Sequence, residues 1–148
     1  LPPNLVLVPF LEKMDLAYAM ADIVISRAGA LSVSEICLAG KASVLVPFPN
    51  ASEDHQTENA LSLVRQQAAL LVKDNEAQDL LIKTALETLN NQNLLESLAA
   101  VSNAFLVTLF VGDKSPINSC PSILILLLDN LVTPVFGNST AESLLLYR

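Results

Sequence analysis

The sequence predicts an α/β fold, a parallel β-sheet with helices on both faces. Three observations carry this expectation. Short continuous apolar runs at residues 4–8, 23–26 and 43–46 alternate with longer segments of helical period. That is the pattern of strands buried on both faces and joined by helices. Turn formers stand where the period changes: Pro9, Gly29, Gly40 and the run Pro47-Phe48-Pro49-Asn50. Finally, 148 residues with 52% hydrophobic content suffice for one ordinary domain with a real core.

The elements follow in order. Residues 4–8 form a strand ended by Pro9, and residues 14–21 a helix with Leu16, Ala17 and Met20 on one side. Residues 23–26 are the second strand. Residues 31–39 are the second helix, stopped by Gly40 at the position just past the helix end. Residues 43–46 form a third strand. After a polar loop, a helix spans 55–67 with Ala60, Leu61 and Val64 as its inward stripe. A fourth strand is expected at 69–72. A clear amphipathic helix covers 77–89 on Leu80, Leu81, Ala85, Leu86 and Leu89, and another begins near 94.

The composition excludes several classes. Net charge is −7 and the pI about 4.5, so nucleic acid is not an expected partner and no polybasic membrane patch is present. The four glycines, Gly29, Gly40, Gly112 and Gly137, form neither G-x-G-x-x-G nor G-x-x-x-x-G-K, which disfavours a nicotinamide dehydrogenase or P-loop NTPase. Cys37 and Cys120 lie far apart without C-x-x-C spacing, against a disulfide framework or zinc site. Cys37 reads as core, and a reducing compartment fits. The opening Leu1-Pro2-Pro3 has no initiator methionine, basic segment or signal core, so the chain is expected to be cut from something longer.

From about residue 101 the character changes. Charged residues thin to Asp113, Lys114, Asp129, Glu142 and Arg148, and the apolar runs 105–111 and 123–128 lack clear periodicity. Neither reaches the length of a membrane span. The chain is therefore divided at residue 100, with 101–148 as a tail of uncertain fold. This tail is expected to add little cooperative stability, so trimming at Ala100 should leave melting nearly unchanged.

One stretch organises the rest: Ser26-Arg27-Ala28-Gly29-Ala30-Leu31-Ser32-Val33-Ser34-Glu35. Strand, glycine turn and helix in that order aim unpaired helix N–H groups beyond the strand end, a seat for a phosphate. Gly29 allows close approach or a positive φ. Ser32 and Ser34 add hydroxyls, and Glu35 a carboxylate suited to a sugar diol. A second reading stands beside the first, because Ser32-x-x-Glu35 is also a capping box.

The whole string, preceded by Asp22-Ile23-Val24-Ile25, resembles the signature of glycosyltransferase family 28, the bacterial peptidoglycan N-acetylglucosaminyltransferases. The resemblance covers residues 5–98. It implies a Rossmann-like α/β domain, part of the C-terminal donor-binding half of a two-domain GT-B enzyme. Val8-Pro9-Phe10-Leu11-Glu12-Lys13-Met14 is similar to the family's segment beside the uracil, which implies that Phe10 and the Leu11 backbone meet the base. Gly29, Ala30, Leu31 and Ser32 resemble the helix start that holds the diphosphate, with serine where threonine is frequent. Glu35 resembles the carboxylate that grips the ribose. In the loop Asn50-Ala51-Ser52-Glu53-Asp54-His55-Gln56-Thr57-Glu58-Asn59, Gln56 and Asn59 resemble the amides that bind the sugar hydroxyls, with His55 beside them. On spacing alone Asp54 could simply cap the next helix. Arg27 is either a diphosphate partner or a brace for its loop.

The resemblance implies inverting transfer of N-acetylglucosamine from UDP-N-acetylglucosamine to undecaprenyl-diphospho-N-acetylmuramoyl-pentapeptide, in cell-wall synthesis at the cytoplasmic face of the inner membrane. No cofactor or metal is implied. The acceptor surface, membrane contact and general base belong to the family's N-terminal domain, so no catalytic residue is assigned here. The chain alone is expected to be inactive. Three alternatives remain: the donor-binding subunit of a split UDP-N-acetylglucosamine transferase, a UDP-N-acetylglucosamine 2-epimerase fragment, and a non-catalytic α/β remnant.

Overall fold

The computed structural model describes residues 5–8, 10–49, 54–107, 124–128 and 143–147. Cys120, Gly112, Gly137, Pro9 and the loop residues Asn50 to Glu53 lie outside them. The elements are β1 (Leu5–Val8), α1 (Met14–Met20), β2 (Ile23–Ser26), α2 (Ala30–Ala39), β3 (Ala42–Leu45), α3 (His55–Val64) and β4 (Leu70–Leu71). A 3-10 turn, Asp74–Glu76, then leads into α4 (Ala77–Leu89) and α5 (Gln92–Val107), followed by β5 (Leu124–Leu128) and β6 (Ser143–Tyr147).

All six strands form one sheet in the order β1-β6-β5-β2-β3-β4. Strand β2 pairs in parallel with β3 and with β5, and β3 pairs in parallel with β4. Strand β6 runs antiparallel to both β5 and β1, so β1 points the same way as β2. The carboxyl ends of β1 to β4 therefore lie along one edge of the sheet.

Alternation along the strands divides the core between two faces. Val24 and Leu45 pack with Ala17 and Tyr18 of α1, Val33, Ile36 and Cys37 of α2, and Ala60 and Leu63 of α3. Ile23, Ile25 and Val44 pack on the other face with Ala77, Leu81 and Ala85 of α4 and Leu98 of α5. Every residue of β2 and β3 is buried, as a sheet covered on both sides requires.

Gly40 ends α2 in the left-handed region, at φ 61 and ψ 45. Its N–H bonds Cys37 O and the Lys41 N–H bonds Ile36 O, the two bonds of a Schellman close. A Cβ there would lie 2.7 Å from Asn103 Nδ2, so both backbone and packing favour glycine. At the start of α5, the Asn91 side chain accepts from Leu94 N–H at 3.1 Å, which caps the helix.

The buried faces of three helices differ from those expected. Helix α1 buries Ala17 and Tyr18, with Ala21 buried just past its end, while Leu16 and Met20 are half exposed, because the sheet meets that helix one residue further round. Likewise α3 buries Ala60 and Leu63, and α4 leaves Leu80 and Leu86 exposed. The boundary at residue 100 falls inside α5. Val101 and Phe105 pack against the first core face and Ser102 is buried, and Leu124–Leu128 forms β5.

Strand β5 covers the full length of β2, from Ile23 opposite Leu124 to Ser26 opposite Leu127, and β6 is the described partner of β1. Trimming after Val107 should thus destabilise the sheet, contrary to the composition-based expectation for a cut at Ala100. The expected loss is on the order of 2–4 kcal/mol, from a short ladder at roughly 0.5–1.5 kcal/mol per hydrogen bond. Urea melts of the full and trimmed chains check it; matching midpoints would show that these strands do not stabilise the sheet.

Candidate donor-binding site

The residues singled out by sequence converge on the edge formed by the strand carboxyl ends. In open α/β sheets that edge is where ligands bind. Helix α2 begins directly after β2 with Gly29 as its N-cap, and no side chain caps it. The first backbone bond of the helix runs from Val33 N to Gly29 O at 3.0 Å. The amides of Ala30, Leu31 and Ser32 precede that bond and face out from the positive end of the helix dipole.

The capping box therefore does not form. Ser32 sits in the third helical position rather than at the N-cap, and Glu35 bonds elsewhere. Its Oε2 accepts from the Tyr18 hydroxyl at 3.1 Å. Ser34 is not available either, since its Oγ donates to Ala30 O at 2.8 Å within the helix. Gly29 adopts φ −63 and ψ 147, so no left-handed backbone explains it. A Cβ there would meet only Ser32 Oγ at 3.9 Å. The space beside Gly29 is open on the protein side.

Arg27 is the best-buried charged group at this edge. Its Nη1 donates to Val46 O at 3.3 Å, to Pro47 O at 3.4 Å and to Asp74 Oδ1 at 2.5 Å. The Phe48 ring lies 5.2 Å from the guanidinium carbon, in cation–π range. These contacts hold Arg27 against the segment that follows β3.

The second loop ties back to the first. Asn59 Nδ2 donates to Ala28 O at 3.0 Å, and Gln56 Oε1 accepts from Phe48 N–H at 2.9 Å. Each amide thus has one end engaged with backbone, and both stay only partly buried. Asp54 stands at the N-cap of α3 with φ 57 and makes no capping bond. His55 is exposed on the first turn. At the end of β1, Phe10 is 77% exposed and Leu31 in α2 is 74% exposed, while Leu11 packs against the core.

Sequence reasoning missed Tyr18 and Asp74. A tyrosine next to buried Ala17 signals a hydroxyl in need of a partner, so Tyr18 was findable. Asp74 lies 47 residues from Arg27, and no local pattern connects them. Burial first, then the Glu35 charge and the hydrogen bond to it, push the Tyr18 hydroxyl above its ordinary pKa. Burial also pushes the Cys37 thiol up, in keeping with a core role.

The chain matches the model of the glycosyltransferase family 28 C-terminal domain over residues 2–109, and it belongs to that family. It is 56% identical over 97 residues to the UDP-N-acetylglucosamine–N-acetylmuramyl-(pentapeptide) pyrophosphoryl-undecaprenol N-acetylglucosamine transferase of Bacteroides fragilis, covering 66% of this chain and 26% of that protein. The Porphyromonas gingivalis enzyme of the same name is 54% identical over 90 residues, covering 61% of this chain and 24% of that protein. The crystal structure of Acinetobacter baumannii MurG superposes with a TM-score of 0.60 at 40% identity, covering 66% of this chain and 28% of that one. The chain thus spans about a quarter of the length of these relatives. The expected Rossmann-like α/β fold of the C-terminal domain holds.

Two predictions follow from this geometry. Asp74→Ala removes the Asp74 carboxylate from the buried Arg27 guanidinium. The expected loss is roughly 2–4 kcal/mol, at or below the range for breaking a buried pair because Asp74 is 26% exposed. Thermal and urea unfolding measure it, and a loss under about 0.5 kcal/mol would place the pair among surface pairs.

The second concerns pH. The folded chain keeps the Tyr18 proton to higher pH than the unfolded chain, which releases it near pH 10. The contribution of Tyr18 is therefore complete below about pH 10 and falls above it, by at most about 1.4 kcal/mol per pH unit. Between pH 9 and 11, the wild type should lose stability more steeply than Tyr18→Phe in paired urea melts. Parallel curves would contradict the assignment.

Proposed function

We propose that this chain carries the donor-binding part of an inverting N-acetylglucosaminyltransferase of peptidoglycan synthesis. The donor is UDP-N-acetylglucosamine and the acceptor is undecaprenyl-diphospho-N-acetylmuramoyl-pentapeptide. The observation that carries the reading is the start of α2. Its amides lack a side-chain cap, and Glu35 stands one turn in, unengaged by Ser32. Such a start suits a diphosphate, and a carboxylate at that distance suits the two ribose hydroxyls.

In this reading Ala30, Leu31 and Ser32 receive the diphosphate, with Gly29 leaving room for it. Glu35 accepts from the ribose. The exposed Phe10 and the Leu11 backbone meet the uracil. The free ends of the Gln56 and Asn59 amides, which both donate and accept, meet the sugar hydroxyls beside His55. Arg27 serves this site from beneath, by holding the loop that follows β3. Transfer also needs a base for the acceptor hydroxyl and stabilisation of departing UDP, and no described residue is assigned as that base. The lipid acceptor and contact with the cytoplasmic membrane face are assigned to the family's other domain. No helix among the described residues is long and apolar enough to cross a membrane. The end of the family match at residue 109 supports a division between donor domain and tail, placed after α5 rather than at residue 100.

The test is UDP titration followed by amide NMR shifts, a method that tolerates weak binding. A carboxylate accepts from two hydroxyls at once, and an amide cannot copy this. Glu35→Gln should weaken UDP binding by roughly tenfold or more, at about 1.5–3 kcal/mol for charge-assisted bonds, with the melting temperature nearly unchanged. Equal affinity in wild type and variant would remove Glu35 from the site.

A further inference from the structure

We propose that Tyr18 is a positioning residue for Glu35, fixing the carboxylate in the orientation that receives a ribose diol. The inference rests on the reading of Glu35 given above and extends it to a residue on a different helix. Tyr18 belongs to α1 and is 6% exposed, within the core cluster that also holds Ala17, Ala21, Val33 and Ile36. A ring so enclosed cannot swing away, so its hydroxyl is a fixed donor. That hydroxyl donates to Glu35 Oε2 at 3.1 Å.

The bond uses one acceptor site of the carboxylate. An ionised carboxylate has about four such sites, and among the described residues no other group bonds Glu35. Its Oε1 and the second lone pair of Oε2 remain for a ligand. A free glutamate on a helix surface would sample several rotamers and lose that freedom on binding. Tethered at one oxygen, Glu35 has lost much of it already, which raises affinity for any ligand that needs that orientation. The Tyr18 hydroxyl also stays protonated across the physiological range, so it donates consistently.

The effect should appear only with ligands that carry the diol. The test titrates this chain with UDP and with 2′,3′-dideoxyuridine 5′-diphosphate, again by amide NMR shifts. Tyr18→Phe should weaken UDP binding about threefold to tenfold, the size of one hydrogen bond, and leave the dideoxy ligand within about twofold. In a Glu35→Gln background, Tyr18→Phe should change neither affinity, since the two residues act as a unit. In the unaltered chain, the Tyr18 ring carbon bearing the hydroxyl should shift with UDP and stay still with the dideoxy ligand, a readout that needs no variant to fold.

Equal weakening of both ligands by Tyr18→Phe would assign Tyr18 to packing alone and overturn the proposal, as would no weakening or a static ring-carbon signal. A wild-type chain that fails to prefer UDP over the dideoxy ligand would overturn the Glu35 reading and this one with it. A wild-type preference that survives Tyr18→Phe intact would overturn this proposal alone.

Discussion

The guanidinium of Arg27 is the constraint on which the ligand edge depends. A buried cation is tolerated only with its charge paired and its donors satisfied. Asp74 supplies the charge, and the carbonyls of Val46 and Pro47 accept at the end of β3. The Phe48 ring covers the group from one side. One side chain thus joins the ends of β2 and β3 to the turn that follows β4. Such a pair adds little net stability over an apolar packing, but each partner makes the other indispensable. What it fixes is geometry. Phe48, held against Arg27, offers its N–H to Gln56, and Asn59 reaches back to Ala28 O one residue beyond Arg27. The two loops are tied at both ends.

An acidic chain offers an unusual setting for an anion. With a net charge of −7, the surface as a whole does not attract phosphate, yet long-range repulsion is screened beyond about 8 Å at physiological salt. Within that distance the peptide dipoles of α2 dominate. No described acidic side chain lies in the first turn of that helix, so its positive end is not neutralised by the chain itself. Glu35 comes about one turn later, held by Tyr18. Dipole and carboxylate are separated along the helix in the order in which a nucleotide's diphosphate and ribose follow one another.

What could be read from the sequence was what local period encodes. Strand β2 and helix α4 match their expected bounds, and most other elements shift by one to three residues, since helix ends fray. The string from Arg27 to Glu35 spans the end of β2 and the start of α2, as its glycine turn suggested. The errors share a cause, which is that burial is set by partners distant in sequence. Leu16 and Met20 have the spacing of an inner face, but α1 turns Tyr18 inward instead. The Ser32-x-x-Glu35 spacing would serve a cap, but the helix starts two residues before Ser32. Asp74 was invisible for the same reason. Residues 124–128 lack alternation because β5 enters a sheet position flanked by β2 and β6, where continuous apolar sequence is normal.

That sheet position leads to a further consequence. In the doubly wound order 3-2-1-4-5-6, the third strand stands at one edge and two strands separate it from the fourth. Strands β1 to β4 of this chain hold the places of the third to the sixth, with β1 at the edge and β2, β3 and β4 contiguous. The two places between β1 and β2 are filled by β6 and β5, both drawn from beyond the family match, which ends at residue 109. Strand β5 takes the place beside β2 in the parallel sense that a doubly wound sheet requires. Strand β6 runs antiparallel to both neighbours, and is the one strand of the sheet that departs from that pattern. The family-matched strands by themselves leave the sheet divided into β1 and the block β2-β3-β4. Phe10 belongs to the first part, and Arg27, Glu35 and Asn59 to the second. The placement of the first part relative to the second is therefore maintained by strands that lie beyond the family match.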